Sequence, residues 1–184
     1  MATIKMIFTV PPQGIQITDK DQIQMYVYGG KGKFRMKSLK SGKEFIYKIS
    51  PMSKNNPRYD EYTYYVSLVL PGGSEFMGVM KSEENKYIHS KKSYRQYDSP
   101  EVKGINWLLH QFEIENEFPS DMEFYHMGVC SCCGKGLTDP QSIELGIGPI
   151  CFSRYGNKRL KKLLHLKKKI EQRMKKMGKT LAEK

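Results

Sequence analysis

The part of the chain that decides the fold runs from His126 to Cys151 and reads HMGVCSCCGKGLTDPQSIELGIGPIC. It contains all four cysteines of the 184-residue chain. Cys130 and Cys133 form a C-x2-C pair followed by Gly134, which is typical of a zinc knuckle, a tight turn that directs two thiolates at one ion. The glycine lets the chain reverse direction directly after the second thiolate. The spacing therefore predicts a metal site built on this turn.

Tetrahedral zinc needs four ligands, and Cys and His are the favoured types. Cys151 is the third candidate, because the Gly-Pro pair shortly before it is typical of a helix start and a thiolate is stabilised in a first helical turn. For the fourth ligand His126 is the first choice, which gives the pattern H-x3-C-x2-C-x17-C. Cys132 is the second choice and Asp139 the third.

The predicted zinc site is structural rather than catalytic, because no Glu is placed as a base beside an open-sided set of ligands. Residues 1–14 lack the apolar core and cleavage site of a secretory signal, so we expect a cytoplasmic protein with reduced thiols. The adjacent Cys132 and Cys133 also disfavour a disulfide. Free thiols without a metal are the alternative.

The residues between the knuckle and Cys151 predict a short helix. Asp139 can cap it, Pro140 suits its first position and Gly146 can end it. We therefore expect a knuckle, a short helix, a glycine loop and a final helix that carries the last ligand, which is a treble-clef-like order.

This stretch resembles a small zinc module of bacteriophage and prophage proteins. The resemblance rests on the pattern H-x-G-x-C-x2-C-G-K-x-L-T-D-P-x-S-I-x2-G-I-G-P-x-C over residues 126–151 and, more weakly, on FRMKS at 34–38 and SGK-x-F-x-Y at 41–47. It implies a treble-clef-like fold with zinc held by Cys130, Cys133, Cys151 and His126. It implies no reaction, so we expect a phage-type protein without a catalytic site.

The remainder of the chain predicts an α+β fold, in which one helix covers a mostly antiparallel sheet. Alternating apolar residues and turn signals predict strands at 4–10, 23–28, 33–39, 44–49, 62–70, 75–80, 87–90 and 122–126. A Ser-Pro start and apolar residues at helical spacing predict a helix at about 100–117. The predicted units are a β-rich domain over 1–125, the zinc module over 126–155 and a basic helix over 156–184.

Nearly all of the net charge of +12 lies at the end of the chain. Residues 154–184 contain 13 Lys and Arg against 2 Glu, a net charge of +11. A helix with this composition can follow the phosphates of DNA or RNA, without sequence specificity. The predicted phosphate-binding residues are Arg154, Lys158, Arg159, Lys161, Lys162, Lys167, Lys168, Lys169, Arg173, Lys175 and Lys176.

The same segment carries an apolar seam. Its positions are Leu160, Leu163, Lys167, Ile170, Met174, Met177 and Leu181. They step by three and four residues, as in a heptad with one lysine in it. The seam can pack on the protein's own sheet, which we prefer, self-associate, or bind a partner. A second basic and aromatic surface, formed by Arg35, Lys37, Lys48, Tyr64 and Tyr26, is disfavoured against ordinary outward-facing side chains.

Two functions follow. The first is a zinc-stabilised accessory protein that binds nucleic acid through the basic helix. The second is a phage-type interaction protein that docks on a protein machine through the seam and the zinc module.

An enzyme is disfavoured, since the chain lacks the P-loop, G-x-S-x-G and H-E-x-x-H patterns. A membrane protein is disfavoured as well, because no apolar run reaches about 18 residues. The oligomeric state stays open.

Overall fold

The computed structural model describes residues 11–114 and 117–154, which form an α+β fold. The strands are β1 (Ile15–Ile17), β2 (Lys33–Ser38), β3 (Glu44–Pro51), β4 (Thr63–Leu70), β5 (Gly73–Lys81), β6 (Lys86–His89) and β7 (Met122–His126). The helices are α1 (Lys20–Val27), α2 (Pro100–Gln111), α3 (Pro140–Leu145) and α4 (Pro149–Arg154).

The seven strands form one antiparallel sheet in the order β1-β7-β2-β3-β4-β5-β6. The strand β7 lies between β1 and β2, so Phe34 stands opposite His126 on one side and Tyr47 on the other. The chain enters the cysteine-rich region directly from this interior strand. The boundary predicted after residue 125 therefore falls within β7.

One face of the sheet, the inner face, is covered by α1 and α2. Phe34 and Phe124 stack there with ring centroids 4.9 Å apart, and both are fully buried together with Tyr47. The Tyr47 hydroxyl donates to the backbone carbonyl of Glu101 in α2 at 2.9 Å, which satisfies a buried polar group. The opposite face, the outer face, carries partly exposed residues such as Arg35.

The strand predicted at 23–28 is wrong, because these residues belong to α1. Asp19 caps this helix, since its side chain accepts a hydrogen bond from the Gln22 N–H at 3.0 Å. Ile23, Tyr26 and Val27 are fully buried on one face at helical spacing. Within residues 11–114 and 117–154 the sheet is thus covered by two helices rather than one.

The other strand predictions from residue 33 onward match β2 to β7 to within a few residues. The helix predicted at about 100–117 is confirmed, although it ends at Gln111. The short strand β1 was not predicted. The strand predicted at 4–10 and the basic helix predicted at 156–184 lie outside the described residues.

None of the helices in the described part of the chain is long and apolar enough to cross a membrane.

Candidate metal centre

The C-x2-C pair lies in a tight hairpin. An isolated antiparallel bridge joins Val129 to Gly136, and the Cys130 N–H donates to the carbonyl of Lys135 at 2.8 Å. The Gly134 N–H donates to the Cys130 carbonyl at 2.8 Å, and Gly134 has a φ of +75°. A positive φ is cheap only for glycine, so the sequence Cys-Gly fixes the point where the turn closes.

The predicted short helix is confirmed as α3. The Asp139 carboxylate accepts from the Ser142 N–H at 2.9 Å, and Pro140 occupies the first turn. Gly146 ends the helix with a φ of +75°, and its N–H donates to the Ser142 carbonyl at 2.8 Å. Gly146 also packs tightly, because a Cβ there would lie 2.6 Å from the Tyr26 ring.

The chain then returns to the knuckle and starts α4 beside it. The Gly148 N–H donates to the Sγ of Cys130 at 3.4 Å, which ties the start of this helix to the first cysteine. The Phe152 N–H donates to the Gly148 carbonyl at 2.9 Å and closes the first turn. Cys151 lies inside this turn and therefore faces the knuckle.

Three sulfur atoms converge as a result. The Sγ atoms of Cys130, Cys133 and Cys151 all lie within 4.8 Å of one another. Sulfur ligands of a tetrahedral zinc stand about 3.8 Å apart, given a Zn–S bond of about 2.3 Å. A contraction of at most about 1 Å would therefore bring all three sulfurs onto one ion. Three soft thiolate donors on a tight turn and a helix start fit a metal such as zinc.

The polar surroundings of the three sulfurs differ. A hydrogen bond from the Cys132 side chain and backbone N–H groups, among them that of Gly148, lower the pKa of Cys130 and favour its thiolate. Burial raises the pKa of Cys151, and hydrogen bonding to Cys133 adds to the effect. Of these two sulfurs, Cys130 is therefore the one whose surroundings favour the thiolate form that binds a cation.

The structure does not bring His126, the predicted fourth ligand, to the three cysteines. Its side chain is fully buried, and both ring nitrogens face backbone groups. Nδ1 accepts from the Gly128 N–H at 3.1 Å. Nε2 must therefore carry the proton, which it donates to the Ile143 carbonyl at 2.6 Å. Neither nitrogen has a lone pair left for a metal.

His126 instead joins the metal region to the sheet. Its ring lies 5.2 Å from that of Tyr26, centroid to centroid, between β7 and the segment that carries Ile143. Burial lowers the pKa of His126 to about 4, although its bond to the Ile143 carbonyl acts in the opposite direction. The side chain is therefore neutral at physiological pH.

The other two candidates for the fourth ligand also have defined places. Cys132 is partly buried and contacts the Cys130 sulfur, but it lies outside the group of three converging sulfurs. Asp139 is exposed and its carboxylate caps α3. Cys132 thus remains the nearer of the two to the site.

Three contacts that the sequence did not indicate hold the metal region against the rest of the fold. The Tyr26 hydroxyl donates to the Val129 carbonyl at 2.9 Å. The Gln22 side chain donates to the carbonyl of Glu144 in α3. The Lys31 N–H donates to the Ser131 carbonyl at 2.6 Å. Recognising Asp19 as a helix cap would have indicated α1, which supplies the first two.

Of the predicted phosphate-binding residues only Arg154 is described, and it is exposed in the last turn of α4. The remaining ten and the apolar seam lie outside the described residues. Of the predicted second surface, Tyr26 in α1 and Tyr64 in β4 are buried and cannot belong to an exposed surface. Lys48 is exposed, and Arg35 and Lys37 are partly exposed, in agreement with ordinary outward-facing side chains.

Comparison with known proteins found a family model that matches part of the chain. A model described as a family of unknown function, DUF6011, matches residues 120–156, which span β7, the knuckle, α3 and α4. No curated protein and no solved structure matches the chain. The match thus coincides with the metal centre and the strand that leads into it.

Proposed function

We propose that this protein is a zinc-stabilised accessory protein that binds nucleic acid through the basic segment following its metal centre. The observation that carries the proposal is the distribution of charge. The net charge of +11 over residues 154–184 begins just after Cys151, whereas the residues before it carry almost no net charge. Such a segment predicts salt-dependent binding to phosphates.

Zinc in this proposal is a structural ion. Cys130, Cys133 and Cys151 would hold it, with Cys132 as the remaining cysteine candidate for the fourth position. A bound ion would join the knuckle to α4 in a treble-clef-like module. Because the basic segment follows α4 directly, the metal would fix the point at which the segment begins.

The test is a binding titration of the full chain with labelled duplex DNA, single-stranded DNA and RNA over a series of salt concentrations. In one variant six basic residues of the segment become Gln: Lys167, Lys168, Lys169, Arg173, Lys175 and Lys176. A matched control variant replaces six exposed lysines that lie before the metal centre: Lys43, Lys54, Lys86, Lys91, Lys92 and Lys103.

The two variants have the same net charge, so a non-specific charge effect would weaken both equally. We expect the wild type and the control to bind, with the logarithm of the affinity falling linearly with the logarithm of salt concentration. In the segment variant this slope should shrink by as much as about 5 on duplex DNA, at about 0.9 for each lost phosphate contact. Absence of wild-type binding at low salt, or an equal loss in both variants, would refute the proposal.

A further inference from the structure

A cleft of about 560 Å³ lies between the metal knuckle and the outer face of the sheet. We call it the knuckle cleft. Its polar lining consists mainly of lysines and serines, and no carboxylate contributes to its lining in the described part of the chain. The residues that matter for its chemistry are Lys31, Lys33, Lys48, Ser50, Ser74 and Gly134.

Two of these lysines are placed against each other by the sheet. Lys33 in β2 and Lys48 in β3 are direct cross-strand partners, so their side chains leave the same face of the sheet side by side. Like charges in this position destabilise an antiparallel pair. Neither lysine forms an ion pair within residues 11–114 and 117–154. The fold therefore carries an uncompensated repulsion at this point.

The same sheet contains a second pair of opposed lysines, which provides a comparison. Lys81 in β5 stands opposite Lys86 in β6. There the Lys81 ammonium group lies 2.8 Å from the carboxylate of Glu84, which neutralises one of the two charges. The pair at Lys33 and Lys48 lacks such a carboxylate in the described part of the chain, and both of its lysines line the knuckle cleft.

The third lysine of the cleft is Lys31, which lies against the knuckle. The backbone of Lys31 is bound to the knuckle through its N–H, which donates to the Ser131 carbonyl at 2.6 Å. A Cβ on Gly134 would lie 3.6 Å from the Cβ of Lys31, so the two segments pack in van der Waals contact. The turn that carries the cysteines therefore holds Lys31 at the cleft that the lysine pair of the sheet also lines.

We propose that the knuckle cleft binds backbone phosphates of the nucleic acid that the basic segment engages. This inference rests on the proposed function and adds a second contact site to it. Three lysines supply the charge, and the hydroxyls of Ser50 and Ser74 supply uncharged donors. Phosphates would relieve the repulsion between Lys33 and Lys48, which the protein alone leaves uncompensated.

Lys48 can be distinguished from a lysine with a purely structural role, because its removal should raise the stability of the free protein and lower its affinity for nucleic acid. Lys48→Gln removes one of the two repelling charges, so the free protein should unfold at a higher temperature at low salt. The same change removes a phosphate contact, so the affinity should fall and the salt slope should shrink by about 1. Lys86→Gln is the matched control: it also removes an exposed lysine from an opposed pair, but from one that Glu84 already compensates.

The experiment measures thermal unfolding of the free full chain and its binding to duplex and single-stranded DNA over a salt series. It compares the wild type, Lys48→Gln and Lys86→Gln. Higher stability together with weaker binding and a smaller slope, seen in Lys48→Gln alone, supports the inference. An unchanged affinity and slope in Lys48→Gln overturns it, and so does an equal loss in Lys86→Gln.

A second measurement locates the contact directly. Lysines of the wild-type chain are acetylated with and without saturating DNA, and the modified positions are identified by mass spectrometry. Protection of Lys31, Lys33 and Lys48 supports the cleft. Protection confined to lysines beyond residue 156 overturns the inference and leaves the proposed function standing. If the wild type binds no nucleic acid, the proposed function itself has failed, which the titration reports before any variant is compared.

Discussion

Replacing His126 by glutamine should leave the bound metal in place and remove a pH dependence from the stability of the fold. The histidine is buried and neutral, and both of its ring nitrogens are used by backbone groups. Glutamine can still donate to the Ile143 carbonyl, but it has no group that gains a proton at mildly acidic pH. The variant therefore separates a structural histidine from a metal ligand.

The magnitude follows from the pKa of His126, which burial lowers from 6.5 to about 4. Between these values the unfolded chain binds a proton that the folded chain does not, so acidification favours unfolding. The stabilising contribution is complete above about pH 6.5 and is lost progressively as the pH falls towards about 4. At ~1.4 kcal/mol for each tenfold change in proton affinity, the total loss is about 3 kcal/mol, of which about 2 kcal/mol is lost by about pH 5.

The assay compares thermal unfolding of the wild type and of His126→Gln at about pH 7.5 and about pH 5, with metal content measured on the same samples. At neutral pH the variant should be less stable by about 1 to 2 kcal/mol, because it loses one hydrogen bond and the ring packing against Tyr26. At about pH 5 the difference should vanish or reverse, and a change of about 2 kcal/mol corresponds to about 4 to 8 °C in Tm for a chain of this size.

Protonation of the cysteines also weakens metal binding at acidic pH, but it acts on both proteins alike. The difference between the two proteins therefore isolates His126. Loss of the metal from His126→Gln at neutral pH would show that the histidine is a ligand after all. Parallel loss of stability in both proteins would show that its pKa is not lowered in the folded state.

Further substitutions test the packing and the sulfur cluster. Gly146→Ala should lower the free energy of unfolding by more than about 2 kcal/mol, because its Cβ would lie 2.6 Å from the Tyr26 ring and the backbone is strained at φ +75°. Gly42→Ala has a similar φ of +69° but lies in open space, so it should lose only the strain energy of about 1 kcal/mol. Equal losses on urea unfolding would contradict the packing of Gly146 against Tyr26. Tyr26→Phe should cost about 1 to 3 kcal/mol by removing a buried hydrogen bond to the knuckle, with the metal retained, and an unchanged Tm would argue against that contact. Cys133→Ser should release the metal because it removes one of the three converging sulfurs, while Cys132→Ser should weaken metal binding less because its sulfur lies outside the group of three. Metal analysis distinguishes the two, and the opposite result would exchange their roles.

The sequence predicted best those features that depend on local turn chemistry. Asp139, Pro140 and Gly146 occupy the cap, the first turn and the end of α3 as expected, because each requirement is met by one residue within a few positions. The strands from β2 to β7 were also predictable, since alternation of apolar residues follows directly from a sheet with one covered face.

The helix α1 could not be decided by alternation. Its sequence places apolar residues at 23, 25 and 27, which suits a strand, but Ile23, Tyr26 and Val27 also suit one face of a helix. The helix is selected by the cap at Asp19 and by tertiary burial of all three side chains. A tertiary contact also decides the role of His126, because its partner Ile143 lies 17 residues away and offers a backbone carbonyl, which no motif records.

The size of the two apolar clusters indicates how much of the stability of the cysteine-rich region a bound metal would have to supply beside the sheet. Among the residues that the structure describes, the cluster around the knuckle contains five buried residues, whereas the cluster between the sheet and its helices contains 21. Units below about 40 residues rarely fold on an apolar core alone and need a metal or a neighbouring domain. Here the neighbouring domain is the sheet with its helices. Tyr26 and His126 bind the cysteine-rich region to it through hydrogen bonds that do not involve the sulfur atoms. Loss of the metal should therefore loosen the knuckle and the start of α4 while β7 stays paired in the sheet, and hydrogen exchange should separate the two regions.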